Sequence, residues 1–425
     1  MTAVPKLRAV VAPAAALLAT LLVALGLLGA APASAQRSDG PPEIRSAAAI
    51  LVEPGSGDIV YARNADERRP IASATKLMTA LVALEHASLD DVMTTVPYNA
   101  SPYESVAGFA PGEKVTVADL IRALLVASAN DAAATLAQRI GGSTQGFVEM
   151  MNRRARELKL TDTHFANPIG LDDPDNYSSA TDLVKIALIL RKREFVREVV
   201  DAGRVTLHSG ARTRTFDNRN TLVRRVPMVD GVKTGHTSGA GYVLVASASR
   251  DGVTVLSAVL GASSERQRDR ETLALLRYGL RRYHVVTPVR GGQVLAQAPL
   301  AHRDETVDLV ASRTIKRTVA RGKKLQVGIE GVPEEIDGPL EKGDRVGSVV
   351  VLDGERVVAR IPLVTAEAVD AASFMDRIRD WLGAPLTIAL LVLFVAGSLY
   401  LVALRRRAVR RRRRRRTSQQ GASVA

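Results

Sequence analysis

Apolar positions follow two periods along the body of this chain. Ala47 to Val52 and Asp58 to Ala62 are short apolar runs around Glu53-Pro54-Gly55-Ser56-Gly57, the pattern of a β-hairpin. From Pro70 onward the spacing turns helical. One run extends from Ile71 to about Leu84, and a second, Leu120 to Ala127, follows the cap-like Thr116-Val117-Ala118-Asp119. Asp131 to Ile140 stops at Gly141-Gly142, Gly146 to Leu158 is amphipathic, and Thr181 to Leu190 and Glu194 to Val200 keep the helical period. Asp162 to Ser179, rich in Pro, Asp and Asn, reads as an ordered loop. Strands return at Tyr242 to Ser249 and Thr254 to Leu260, around the turn Arg250-Asp251-Gly252, and Glu265 to Arg282 reads as a long closing helix. Strands thus bracket a block of helices, which predicts an α+β domain over 47–284: one mostly antiparallel sheet with helices packed on it.

The pattern then changes. Residues 287–364 carry short Val/Leu runs between glycine turns, which predicts a small all-β domain. Residues 365–383 form a linker or an interfacial helix, with Phe374, Ile378, Trp381 and Leu382 on one helical face. Residues 384–404 are uncharged and long enough to cross a bilayer as one C-terminal transmembrane helix. The arginines of 405–425 follow at once, so the positive-inside rule places the C-terminus in the cytoplasm and the body outside. At the other end, Lys6 and Arg8, the apolar Val10 to Gly29 and Ala33-Ser34-Ala35 predict a signal peptide over 1–35, then a flexible leader over 36–46.

Composition removes several classes of function. The net charge of +14 comes mainly from the arginine run beside the span, so its role is topological and no nucleic-acid partner is inferred. The chain has no cysteine, which excludes disulfides and thiolate chemistry. Its six histidines show no paired-ligand spacing, so no metal and no cofactor is predicted.

Three short motifs carry candidate chemistry. Ser73-Ala74-Thr75-Lys76 opens the first helical run and puts a hydroxyl and an amine on one face, about one turn apart. Serine needs a neighbouring base, and a lysine whose pKa is lowered by burial or by a second cation can be that base. Ser128-Ala129-Asn130 lies at a junction of two helices, and Lys233-Thr234-Gly235 lies just before the strand hairpin. Each motif alone is weak, but the trio in this order is the signature of class A β-lactamases and penicillin-binding proteins. Asp131 reads as a helix-start charge, Met150 and Met151 as core, and Asn220 as either a site-lining or a turn residue.

With these motifs the chain resembles the D-alanyl-D-alanine carboxypeptidases, the low-molecular-mass penicillin-binding proteins, from about Ala47 to Tyr283. The likeness includes Thr163-His164-Phe165-Ala166-Asn167-Pro168 with Gly170-Leu171, Asn218-Arg219-Asn220-Thr221-Leu222, and Val229 through Thr237 with Ala240-Gly241-Tyr242. Ile169 departs from the family, which usually has a polar residue there, and bears on loop contacts near the substrate. The resemblance implies a β-lactamase/transpeptidase-like fold and removal of the terminal D-alanine from a peptidoglycan stem peptide ending in D-Ala-D-Ala. β-Lactam antibiotics would be covalent inhibitors. Ser73 would be the nucleophile, Lys76 its base, and Ser128 a proton relay to the leaving amine. Asn130 would bond the peptide and align Lys76, while Lys233 and Thr234 would hold the terminal carboxylate. Gly235 would let the substrate backbone lie close, and the N–H groups of Ser73 and His236 would form the oxyanion hole. Two alternatives stand: a class A-like β-lactamase, whose deacylating glutamate would be Glu157, and a non-catalytic cell-wall-binding protein that keeps the fold.

Overall fold

The computed structural model describes residues 40–421, so the signal peptide predicted over 1–35 lies outside the described residues. The central sheet joins strands from the two ends of the first domain. They are β1 (Ala48–Glu53), β2 (Asp58–Arg63), β3 (Val229–Thr237), β4 (Gly241–Arg250) and β5 (Val253–Ala262). All pairings are antiparallel in the order β2-β1-β5-β4-β3, with Ile50 opposite Ala258 and Val245 opposite Lys233.

Both faces of this sheet are covered, which is why β4 and β5 read as near-continuous apolar runs. Successive side chains point to opposite faces. Ile50, Val243, Val245, Leu256, Ala258 and Leu260 enter one core. It also contains buried residues of α1 (Lys76–His86), α2 (Val117–Arg122), α3 (Asn130–Gly141), α4 (Thr144–Glu157), α5 (Ala180–Leu190) and α6 (Glu194–Asp201). Ala49, Leu51, Leu244, Ala246, Val255 and Val259 enter the other core, against α7 (Glu265–Arg282). Leu77 and Leu81 of α1 are fully buried; truncating such a leucine to alanine costs about 2–5 kcal/mol. Rigidity at the start of α1 therefore derives from the core beneath it.

Two expectations change here. The stretch around Lys233 is a full strand, the edge strand β3, although Asp230, Gly231, Lys233 and Thr234 break its apolar alternation. The predicted leader over 36–46 is fixed from Ile44 onward. Ile44 is buried, and Glu271 of α7 accepts from Arg45 N (3.1 Å), Ser46 N (3.0 Å) and Ser46 Oγ (2.6 Å).

The second domain is all β. Strands β6 (Tyr283–Val289) and β9 (Ile315–Ala320) pair. The five strands β7 (Val294–Pro299), β8 (Thr306–Ala311), β10 (Gln326–Glu330), β11 (Arg345–Asp353) and β12 (Arg356–Thr365) form a sheet in the order β7-β8-β12-β11-β10. Its limits differ from 287–364. Tyr283 pairs with Ala320, packs into the α7 core and donates its hydroxyl to Asp58 at 2.9 Å, so one residue joins both domains. Downstream, Leu340 bridges to Val369, which is in the domain's core. Next comes an α-helix, α8 (Phe374–Gly383), whose start is closed by a reciprocal Ser373–Asp376 capping box. Its Phe374, Met375, Trp381 and Leu382 are exposed. The last helix, α9 (Pro385–Gly421), is the one helix among the described residues long and apolar enough to cross a membrane.

Candidate active site

The first motif is set by the turn that leads into α1. Ala72 has φ +48, a left-handed conformation that costs about 1–2 kcal/mol for a residue with a Cβ. The 3₁₀ turn Ala72–Thr75 carries Ser73, and Lys76 is the first residue of α1. Lys76 is fully buried, and its Nζ donates to Ser73 Oγ at 2.9 Å and to the Ile169 carbonyl at 2.5 Å. The 162–179 loop clamps the same face of α1. Thr79 Oγ1 donates to the Pro168 carbonyl at 2.6 Å, and Asn176 Nδ2 donates to Thr75 Oγ1 at 3.1 Å. Asn167 Oδ1 accepts from the backbone N–H groups of Ile169, Gly170 and Leu171 and curls the loop. Ile169 thus serves Lys76 through its main chain, which any residue supplies, while its side chain packs against the core.

The second motif lies where α2 runs through a wide turn, Ala123–Ala127, and ends at Ser128 with φ +61. Asn130 then starts α3. Its side-chain amide N–H turns to the segment before it and not to Lys76. Asn130 Nδ2 donates to Glu104 Oε2 at 2.7 Å, and its backbone N–H donates to the Ser105 carbonyl at 2.7 Å. Asp131 accepts from the N–H groups of Ala107 (2.9 Å), Gly108 (2.8 Å) and Phe109 (3.1 Å). Its carboxylate is a loop anchor as well as a helix-start charge, and it has no free edge for proton transfer. The segment 98–109, which the sequence left unassigned, thereby becomes one wall of the site.

The third motif lies on edge strand β3. Asn220 caps the short helix Thr221–Arg225 and donates Nδ2 to the Gly231 carbonyl at 3.0 Å, which settles its role as a turn residue that supports the strand. Lys233 is buried, and its Nζ donates to Ser128 Oγ at 3.0 Å and to the Thr234 carbonyl at 2.8 Å. Thr234 is buried beside it. Gly235 has a structural use that the sequence does not show. A Cβ there would meet the Ile71 carbonyl oxygen at 3.0 Å and Ser73 N at 3.1 Å. The bare glycine lets β3 abut the Ser73 turn. The His236 side chain is exposed and its ring centroid lies 4.0 Å from that of Tyr242.

These contacts bring Ser73, Lys76, Ser128, Asn130, Lys233 and Gly235 together from three separate parts of the chain. Burial lowers the Lys76 pKa and the charges of Glu104 and Asp131 oppose it, leaving it at about 7. Of the two causes expected from the sequence, burial and the neighbouring cation Lys233, burial is the one that lowers Lys76 here. Lys233 itself is lowered well below the ordinary lysine value, first by burial and then by the charges of Lys76, Arg219 and Arg268. Arg219 was part of a matched motif but was given no role. It is exposed and has no ion-pair partner among the described residues. Glu157, the carboxylate the β-lactamase alternative needs, ends α4 and pairs with Arg154 at 3.0 Å with its side chain half-exposed.

Comparison with known proteins gives the same picture. The D-alanyl-D-alanine carboxypeptidase family model matches residues 35–264, and the model for the C-terminal domain of penicillin-binding protein 5 matches 283–371. The chain is 30% identical over 380 residues to the D-alanyl-D-alanine carboxypeptidase DacF of Bacillus subtilis, covering 86% of this chain and 98% of that protein. It is 35% identical over 363 residues to DacD of Escherichia coli, with 81% and 92% covered. Among solved structures, penicillin binding protein 5 from Haemophilus influenzae superposes with a TM-score of 0.58 at 32% identity, covering 78% of this chain and 99% of that one. The Streptomyces K15 DD-transpeptidase superposes with a TM-score of 0.54 at 35% identity, covering 57% and 99%. A trio of motifs folded onto one cleft, a matched catalytic domain and a matched β domain place the chain in the D-alanyl-D-alanine carboxypeptidase family of serine peptidases.

Proposed function

We propose that the chain is a serine D-Ala-D-Ala carboxypeptidase that trims the terminal D-alanine from peptidoglycan stem peptides through an acyl-enzyme on Ser73. The observation that carries this is the 2.9 Å contact of Ser73 Oγ with a buried Lys76 whose pKa lies at about 7. A lysine near neutrality can take the serine proton as the oxygen attacks the penultimate D-alanine carbonyl. The resulting oxyanion is held by the N–H groups of Ser73 and His236, worth about 3 kcal/mol per donor. As the C–N bond breaks, the proton on Lys76 passes through Ser128 to the leaving amine, and D-alanine departs. Water then attacks the ester, Lys76 takes its proton, and Ser73 is restored with release of the shortened peptide.

Substrate orientation follows from charge. The terminal carboxylate would lie against Lys233 and Thr234, with Arg219 outside them. An incoming anion favours the charged form of Lys233 that burial disfavours, so binding and protonation are linked. Asn130 Oδ1 is left to accept from the peptide, since its amide N–H group serves Glu104. A β-lactam would be attacked at its strained amide in the same way, but its amine stays tethered after ring opening and the ester persists. The body would stand outside the cell membrane on α9, with α8 at the interface and the C-terminus in the cytoplasm.

The test uses the detergent-solubilised full chain and a peptide ending in D-Ala-D-Ala. The expected result is stoichiometric penicillin labelling together with D-alanine release, both abolished by Ser73→Ala. D-Alanine release that survives Ser73→Ala overturns the assignment. Fast penicillin turnover without peptide cleavage supports the β-lactamase alternative.

A further inference from the structure

The carboxylate bonded to the Asn130 side chain belongs to no motif. Glu104 lies on the irregular segment between two short strands, Val92–Thr94 and Lys114–Thr116. Its carboxylate accepts from Asn130 Nδ2 at 2.7 Å, from the Tyr98 hydroxyl, and from Ser101 N at 3.2 Å. The segment cannot drift, because Asp131 ties down Ala107, Gly108 and Phe109, and the Ser105 carbonyl accepts from Asn130 N. Glu104 is therefore fixed against the second motif by groups on both sides of it.

We infer that Glu104 is a positioning residue for the acyl transfer: it locks the Asn130 amide in one orientation and holds a fixed negative charge against the second motif. Taking the N–H of Asn130 leaves Oδ1 as the end of the amide that can face the cleft. The charge acts against the burial of Lys76, whose lowered pKa is raised by Glu104 and Asp131. The charged groups that face Lys76 come from three elements. Glu104 is on the wall segment, Asp131 on α3, and Lys233 on β3, where its own proton affinity falls with the charge of Lys76. Glu104 stays ionised in this setting. Burial pushes its carboxyl up, and the hydrogen bonds from Tyr98, Asn130 and Ser101 outweigh that and hold it below the usual range. Without this charge, Lys76 would hold a proton less firmly, and less of it would be returned to the leaving amine at neutral pH. Three groups donate to the carboxylate and fix its orientation.

This inference rests on the proposed Ser73 acylation, and the experiment separates the two. The second-order rate of penicillin acylation is measured against pH for the full chain in detergent, with Glu104→Gln, Glu104→Ala, Tyr98→Phe and the surface control Glu157→Gln. If the wild-type chain is not acylated, the functional reading fails and the role of Glu104 falls with it. With acylation present, Glu104→Gln keeps an acceptor for Asn130 but removes the charge. The acid limb of its profile should move to lower pH by on the order of half a unit, while Glu157→Gln leaves the limb in place. Glu104→Ala also frees the Asn130 amide and should slow acylation about tenfold or more at every pH. Tyr98→Phe keeps the charge, so its acid limb should stay where the wild type has it; this variant guards against a loop that simply loosens. An unmoved acid limb in a folded Glu104→Gln, as judged by its thermal midpoint, overturns the inference. So does an equal displacement in Glu157→Gln.

Discussion

Gly170 and Ala72 touch through their main chains: a Cβ on Gly170 would lie 2.0 Å from the Ala72 carbonyl oxygen and 2.9 Å from Ser73 N. Gly170 has φ +86, so both the backbone conformation and the space demand glycine. The loop that feeds Ile169 to Lys76 and the turn that presents Ser73 are thus one packed unit. Gly170→Ala must push them apart by more than an ångström, and a misplacement of that size costs about a hundredfold in rate. Penicillin acylation should fall by at least this factor in a protein that still unfolds cooperatively. Acylation within threefold of wild type would show that the contact is not required.

The Lys76 pKa of about 7 sets the pH dependence of the enzyme. The neutral amine is the base, so acylation should rise with pH through about 7. The same shift affects stability with a definite sign. A lysine lowered from 10.5 binds fewer protons folded than unfolded between about 7 and 10.5, so this group makes the protein more stable as pH rises across that window. Lys76→Met removes both effects. Its acylation should be abolished, and its unfolding free energy should rise less steeply between pH 7 and 10 in urea titrations.

Much of this site is legible in the sequence because the reacting groups are fixed by short, ordered spacing. Ser73 and Lys76 must share one turn, and Lys233, Thr234 and Gly235 must follow one another along a strand. The surroundings are less legible. Strand β3 hides because its buried positions include Lys233 and Thr234, polar residues kept for the site at the cost of the usual alternation. Glu104 hides for a different reason. Its segment has no periodicity, and its partner Asn130 is 26 residues away in sequence. The packing of Gly235 against the Ser73 turn is not legible, because the sequence shows a missing side chain and not the direction in which it is missing. The anchoring of Ile44 to Ser46 depends on Glu271, more than two hundred residues downstream, and no local pattern announces it.

Arg219 has no ion-pair partner among the described residues and lies at the outer edge of the proposed carboxylate position. A charge-assisted hydrogen bond is worth about 1.5–3 kcal/mol, which corresponds to roughly tenfold or more in affinity. Arg219→Ala should raise KM for a D-Ala-D-Ala peptide by about tenfold and leave kcat within about twofold. A peptide amide, which lacks the terminal carboxylate, should show no such difference between the two proteins. An equal loss on the acid and the amide would assign Arg219 to the fold and not to the substrate.

Glu113 and Arg214 form a buried ion pair at 2.7 Å, with side chains 6% and 5% exposed. Arg214 also donates to the Gly108 carbonyl at 3.0 Å and lies 4.8 Å from the centre of the Phe109 ring. Glu113 accepts from Ala110 N and Ala211 N at 2.8 and 2.9 Å. The pair therefore fastens the hairpin of 204–217 to the same segment that carries Glu104. Burial raises the Glu113 carboxyl, but the bonds from Arg214, Ala211 and Ala110 hold it at about 2. A carboxyl lowered in the folded state contributes stability above its ordinary value of 4.5, and that contribution is lost as pH falls toward 2. Removing one partner leaves a buried charge unpaired, at a cost of about 3–5 kcal/mol. Arg214→Met should therefore lower the thermal midpoint at pH 7 by roughly 6–20 °C. The loss should shrink at pH 3, where the pair already contributes less to wild-type stability. Glu113→Gln with Arg214→Met, which leaves no charge behind, should recover a large part of the midpoint. A double variant no more stable than Arg214→Met would show that the hydrogen bonds, and not the unpaired charge, dominate this contact.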